Sequence, residues 1–313
     1  MPAGLEHGGH VSVWHGPGQS AADGWGFDSG ESRYRRRILY EFIPIQSVRV
    51  TPVTLLTSRT VNNTKCIFCG RTGADIKITK EHTFSNWINE VLTVTIVGPD
   101  ITYERSIQHG PRAGTVNTWP AKVVADHTIR AVCKDCNNGW MKRSEDAVIP
   151  LIEPMIKGQP AQLTVEQQLT VATWAAMKAA VFEYAWSEDT ILTADDRDVI
   201  RTQDRPPSSV QVRLAAIESV GSPLRARGVA YVDNRTGEKI ICLTLTIGCL
   251  VVQVFGGPGA GTHGLQTSSM PRTDRIRIFP PATNTVQWPP PVALNDQTLP
   301  AFENPLGPLA AAG

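Results

Sequence analysis

Cys66-Ile67-Phe68-Cys69-Gly70 and Cys133-Lys134-Asp135-Cys136-Asn137 are the stretches on which the reading of this chain turns. Each sets two thiols on one tight turn, so together the four sulfurs of Cys66, Cys69, Cys133 and Cys136 can close a tetrahedral zinc site. The 63 residues between Cys69 and Cys133 exceed what a minimal zinc ribbon needs, so a further element is inserted between the knuckles. Redox chemistry at the pairs is the weakest reading, because neither stands in a βαβ context. The two remaining cysteines, Cys242 and Cys249, lie in a β-rich run and read as small buried hydrophobes.

Inside the insertion stands Ile78-Thr79-Lys80-Glu81-His82. Neighbours on a strand point to opposite faces, but at a strand end or bulge a carboxylate and an adjacent imidazole can approach one phosphate. Glu81 offers a hard oxygen suited to Mg2+ or Mn2+, and His82 can deprotonate a water near neutral pH. Asn137 and Asn138 follow the second cysteine pair at the start of an expected helix, where an amide oxygen can complete a cation site.

This order of motifs resembles the HNH endonuclease family, whose pattern runs from a C-x-x-C-Gly knuckle through an Asp/Glu-His element to a C-x-x-C-Asn helix start. The resemblance covers residues 66 to 140. It implies a treble-clef ββα-metal core in which Glu81 and Asn137 bind one catalytic Mg2+ or Mn2+, His82 is the general base, and the cysteines hold structural zinc. The substrate it implies is nucleic acid, chiefly DNA. Two positions depart from the pattern: His127 and Thr128 stand where the family usually has its central Asn, and Trp140 replaces a His or Lys after the helix start. Lys142 and Arg143 follow closely. The rival reading is a zinc module that grips nucleic acid or a protein through Arg105, Arg112, Lys134, Lys142 and Arg143 and cuts nothing.

Charge is uneven along the chain. Residues 31–150 carry 17 Lys and Arg against 11 Asp and Glu, giving +6, whereas residues 151–313 carry 13 against 15, giving −2. The basic half is the half with the cysteine motifs, as a phosphate-binding surface requires. The cluster Arg33-Tyr34-Arg35-Arg36-Arg37 is read as a solvated charge run. Residues 1–30 hold no Lys or Arg and no long apolar stretch, which argues against a secretory signal and for a cytoplasmic location. The uncharged run Ile240–Gly257 has polar and β-branched residues and a central Gly248, so it reads as paired core strands rather than a membrane span.

The expected architecture is α+β, a zinc-stapled ββα core followed by a helical and antiparallel-β region. Its divisions are 1–60 largely disordered, 61–150 the knuckle domain, 151–279 an α+β domain, and 280–313 a Pro-rich extended or disordered tail. Thr164 with Gln167 forms a capping box for a helix through Tyr184, and a second helix starts at Thr193. Trp174, Lys178 and Trp186 lie on the long helix, with both tryptophans assigned to packing. Strands are expected at 210–217, 228–232, 239–246, 250–255 and 275–279, with a turn at Asn234-Arg235-Thr236-Gly237.

Overall fold

The computed structural model describes residues 37–47, 64–92, 102–107, 116–120, 127–186, 190–218, 224–232, 238–257 and 273–305. The segment 1–30, Arg33 to Arg36, Arg112 and the turn at Asn234–Gly237 lie outside the described residues. All described residues fall in one compact unit, Arg35–Gly313.

In chain order the elements are β1 (Arg37–Ser47), β2 (Ile78–His82), α1 (Ile88–Val91), β3 (Thr102–Ile107), β4 (Val116–Pro120), β5 (Thr128–Cys133) and α2 (Lys134–Cys136). A segment over Asn137–Met141, kinked at Gly139, leads into α3 (Lys142–Ile156), β6 (Ala161–Thr164), α4 (Val165–Trp186) and α5 (Ala194–Gln203). Then come β7 (Val210–Ala216), β8 (Leu224–Val232), β9 (Lys239–Ile247), β10 (Leu250–Gly256), β11 (Ile276–Phe279), β12 (Thr285–Trp288) and α6 (Leu299–Glu303). The class is α+β.

Eight strands form one sheet in the order β11-β7-β10-β9-β8-β1-β3-β4. The strands from β7 to β11 pair antiparallel; short connections account for β8-β9-β10, whereas β7 and β11 join through pairing with strands that are not their neighbours in the chain. The β9–β10 connection turns at Gly248, whose φ is +56°. A side chain there would also collide with the Ile156 carbonyl, which accepts from Cys249 N at 3.0 Å, so glycine lets the hairpin dock on the end of α3.

Three regions differ from expectation. Arg37–Ser47, within the segment read as largely disordered, is β1, parallel to both β8 and β3. Its hydrogen-bonding partners lie far along the chain, so no local hairpin signal announces it. The stretch after Pro280 carries β12, which pairs with β6, and α6, whose Leu299 and Phe302 are buried with Ala215, Ile217 and Val251. Pro300 sits in the first turn of α6, where a missing N–H is tolerated. Helix α3 runs through position 150, and one core joins Phe84 and Val132 to Ile152, Phe182 and Ile247 across that expected domain edge.

Helix α4 is the hub. Its capping box is present, with Thr164 N donating to Gln167 Oε1 at 2.9 Å and Gln167 N donating to Thr164 Oγ1 at 3.4 Å. Every residue from Val171 to Glu183 is buried, as befits a helix covered on all sides. Ala172, Ala175, Ala176, Ala179 and Ala180 keep its surface thin enough for neighbours to pack closely. The helix touches β7, β10 and β11 of the large sheet, and also β5 and α3. No helix among the described residues is long and apolar enough to cross a membrane.

Candidate metal centre and the hairpin beside it

The first knuckle closes through Gly70 N donating to Cys66 O at 2.9 Å, with Gly70 left-handed at φ +69°. It is sewn to the second by Ile67 N donating to Ala131 O at 3.0 Å, and Lys134 N to Lys77 O at 2.9 Å. Cys133 ends β5 and Cys136 ends α2, so a strand-to-helix corner supplies the other thiols. The four cysteine sulfurs all lie within 4.8 Å of one another. Cys69 Sγ and Cys133 Sγ are 3.7 Å apart. A tetrahedral zinc with metal–sulfur bonds of about 2.3 Å has sulfur–sulfur edges of about 3.8 Å, so the cluster can hold a metal such as zinc.

The sulfur electrostatics agree with a cation-binding cluster. The hydrogen bond with Cys136 pulls the Cys66 thiol down to about 4, and that same bond, together with burial, pushes the Cys136 thiol up. Burial likewise raises Cys133. Protons are thus shared among crowded sulfurs, and a divalent ion can replace them. Arg71 supports the cluster from outside, with Nε donating to Cys69 Sγ at 3.4 Å and Nη2 to Cys133 Sγ at 3.6 Å. Its Nη2 also meets Asp135 Oδ2 at 2.6 Å.

Strands β2 and β5 form a two-stranded antiparallel hairpin ahead of α2, and its register shifts between Thr79 and Lys80. That bulge re-aims the end of β2. Glu81 turns inward and is 6% exposed, while His82 is half-buried opposite Thr128. Next to them Thr83 N donates to His127 O at 3.0 Å, and Thr83 Oγ1 lies 3.1 Å from His127 Nδ1. Thr128 and His127 therefore both stand beside His82, one across the ladder and one against the next residue.

Lys178, on α4, meets Glu81. Its Nζ is 2.9 Å from Glu81 Oε1, 2.7 Å from Glu145 Oε1 and 3.1 Å from the His82 carbonyl. Ser85 Oγ donates to the same Glu145 oxygen at 2.6 Å. Burial works against the Lys178 charge, yet the two carboxylates outweigh it and hold the ammonium above its usual range. For Glu145, burial pushes up, but Lys178, Ser85 and the charge of His82 together pull the carboxyl below its usual range.

The remaining residues expected at the site are dispersed around this point. Asn137 Nδ2 donates to Thr79 Oγ1 at 3.1 Å and to Lys80 O at 3.4 Å, which clamps the helix start onto β2. Asn138 is exposed, and Lys142 is exposed and paired with Asp146 at 2.9 Å. As a pair of cation ligands, Glu81 and Asn137 fit poorly in this arrangement, because an ammonium already stands against Glu81 Oε1 and repels a second cation there. The cysteines are the one cluster of three or more His, Cys, Asp or Glu able to hold a metal among the described residues.

Lys178, Glu145, Ser85 and Arg197 carry interactions that motif reading passes over. One signal for Lys178 was present: it is the only charged residue between Val171 and Phe182 in an otherwise largely apolar helix. Arg197, on α5, donates through Nε to the Ile67 carbonyl at 2.9 Å and through Nη1 to the Leu192 carbonyl. Glu183 accepts from Ile191 N at 2.9 Å and Leu192 N at 3.2 Å, and burial pushes its carboxyl up to about 8. The knuckle is thereby fastened to the α4–α5 connection. No protein-family model, no curated protein and no solved structure matches the chain.

Proposed function

We propose that this chain is an HNH-type endonuclease that hydrolyses phosphodiester bonds of nucleic acid, DNA above all, on a treble-clef ββα-metal core. The observation that carries the reading is the place of His82: half-buried at the end of a bulged hairpin, ahead of a helix that starts from a four-cysteine cluster. His82 takes a proton from water as the water oxygen attacks phosphorus, and the P–O bond to the leaving oxygen breaks, that oxygen keeping the electron pair and taking a proton from solvent. Lys178 and Glu145 act behind it. The ammonium fixes the His82 main chain, and Glu145 in turn holds the ammonium in place.

Zinc at Cys66, Cys69, Cys133 and Cys136 would supply folding energy rather than chemistry. The Mg2+ or Mn2+ that the family resemblance assigns to Glu81 and Asn137 does not fit those residues as they stand, and the hydrolytic step is not routed through it. As the residues stand, the cation beside Glu81 is the Lys178 ammonium. That occupancy favours the second reading, a zinc module that binds nucleic acid without cutting it. Plasmid nicking with Mg2+ or Mn2+, run on the parent and on His82→Ala, separates the two. Loss of nicking in the variant supports catalysis, and an inactive parent that still binds DNA supports the binding module.

A further inference from the structure

A cleft of about 530 Å³ opens beside the cysteine cluster, with Arg71, Arg143, Arg201, Asp135 and Trp140 in its wall. The three arginines come from three separate places: the first knuckle, the start of α3 and the last turn of α5. Only one is spent on the metal centre, since Arg71 is engaged with Asp135 and the sulfurs of Cys69 and Cys133. Arg143 is exposed and makes no hydrogen bond or ion pair among the described residues. Arg201 touches Asp198 through Nη2 at 2.6 Å, while its Nε is buried with no partner among the described residues.

We infer that this cleft is a phosphate-binding site in which Arg143 and Arg201 grip the backbone of a polynucleotide. Guanidinium forks match phosphate oxygens two at a time, and two of them flanking one cleft favour a phosphodiester over a carboxylate ligand. A divalent metal on four thiolates still carries a net −2, and Arg71 is matched by Asp135, so the attraction for a phosphate has to come from Arg143 and Arg201. Trp140 packs edge-to-face on Phe68 at 4.9 Å, and so presents a fixed aromatic wall beside the phosphate. The inference rests on nucleic acid being the substrate class, yet it does not depend on cleavage.

The test uses the zinc-loaded full chain, a fluorescent DNA duplex and fluorescence anisotropy over a salt series, with inorganic pyrophosphate as a second probe followed by calorimetry. The variant is the Arg143→Gln, Arg201→Gln pair, with zinc content and circular dichroism as folding controls. Arg143→Lys, Arg201→Lys keeps the charge without the fork. We expect the Gln pair to bind duplex at least tenfold more weakly, with a salt slope shallower by about two, and to lose pyrophosphate binding. The Lys pair should keep most of the salt slope. Unchanged affinity and slope in the Gln pair overturn the site even if the parent cuts DNA, and so does a parent that binds neither probe. A parent that binds through these arginines but does not nick leaves the cleft standing and removes only the nuclease reading.

Discussion

Lys178 donates to Glu81 across 97 residues of chain, at 2.9 Å, with the lysine side chain 1% exposed and the carboxylate 7%. Glu145, from α3, completes the triad at 2.7 Å. The central helix is thereby tied to the very residue pair that carries the Glu-His motif. Stability and site geometry thus share one set of contacts.

Removing the ammonium should therefore be costly and pH-dependent. Lys178 is raised in the fold, so its contribution is complete below the ordinary lysine value and disappears as pH climbs through the raised one. Glu145 is lowered, so its contribution is complete above the ordinary carboxylate value and disappears as pH falls through the lowered one. The triad stabilises across roughly pH 5 to 10. Lys178→Met should cost about 3–5 kcal/mol at pH 7, because buried carboxylates are left without a counter-ion. Glu145 then keeps its burial and loses its cation, so its pKa rises and the deficit should narrow toward pH 5. Urea melts across that range check this, and a deficit independent of pH contradicts the ion-pair account.

Natively purified protein should carry one zinc ion per chain. Cys136→Ser should abolish that stoichiometry and lower stability by roughly 4 kcal/mol or more, the range reached when a structural metal is lost. Elemental analysis gives the stoichiometry, and thermal melts with and without chelator give the stability. An intact fold with no metal bound defeats the assignment.

His82→Ala removes the proposed base and no cysteine ligand, so zinc content and melting temperature should stay at parent values. Nicking should fall about a hundredfold to ten-thousandfold. Parental cutting by this variant would falsify the catalytic role. Glu81→Gln should behave differently, losing stability as well as rate, since it weakens the buried pair with Lys178.

Arg197→Ala should loosen the knuckle without touching a sulfur. It deletes a charged donor to the Ile67 carbonyl and leaves buried acceptors unmet, at a cost of about 1–3 kcal/mol. Zinc should still bind, but a chromophoric chelator should withdraw it faster than from the parent. Equal rates of withdrawal indicate that α5 does not brace the metal centre.

What is local in this protein is readable in its sequence. Each C-x-x-C pair sets its two thiols on one turn, and Thr164 with Gln167 and Thr193 with Asp196 cap their helices because a capping box spans only three residues. The strands from β7 to β11 are marked by β-branched apolar runs, and the β9–β10 turn by its Gly248, although the pairing of β7 with β10 and β11 is not local. The tertiary structure alone decided what depends on distant partners. β1 takes its place between β8 and β3 through pairing with residues far along the chain. Glu81 faces inward because a bulge shifts its strand and because a lysine on a helix nearly a hundred residues later is buried against it. Periodicity assigns a side chain to a face, but only packing selects which charge waits there, since a buried carboxylate is tolerated where a counter-ion has been brought to meet it.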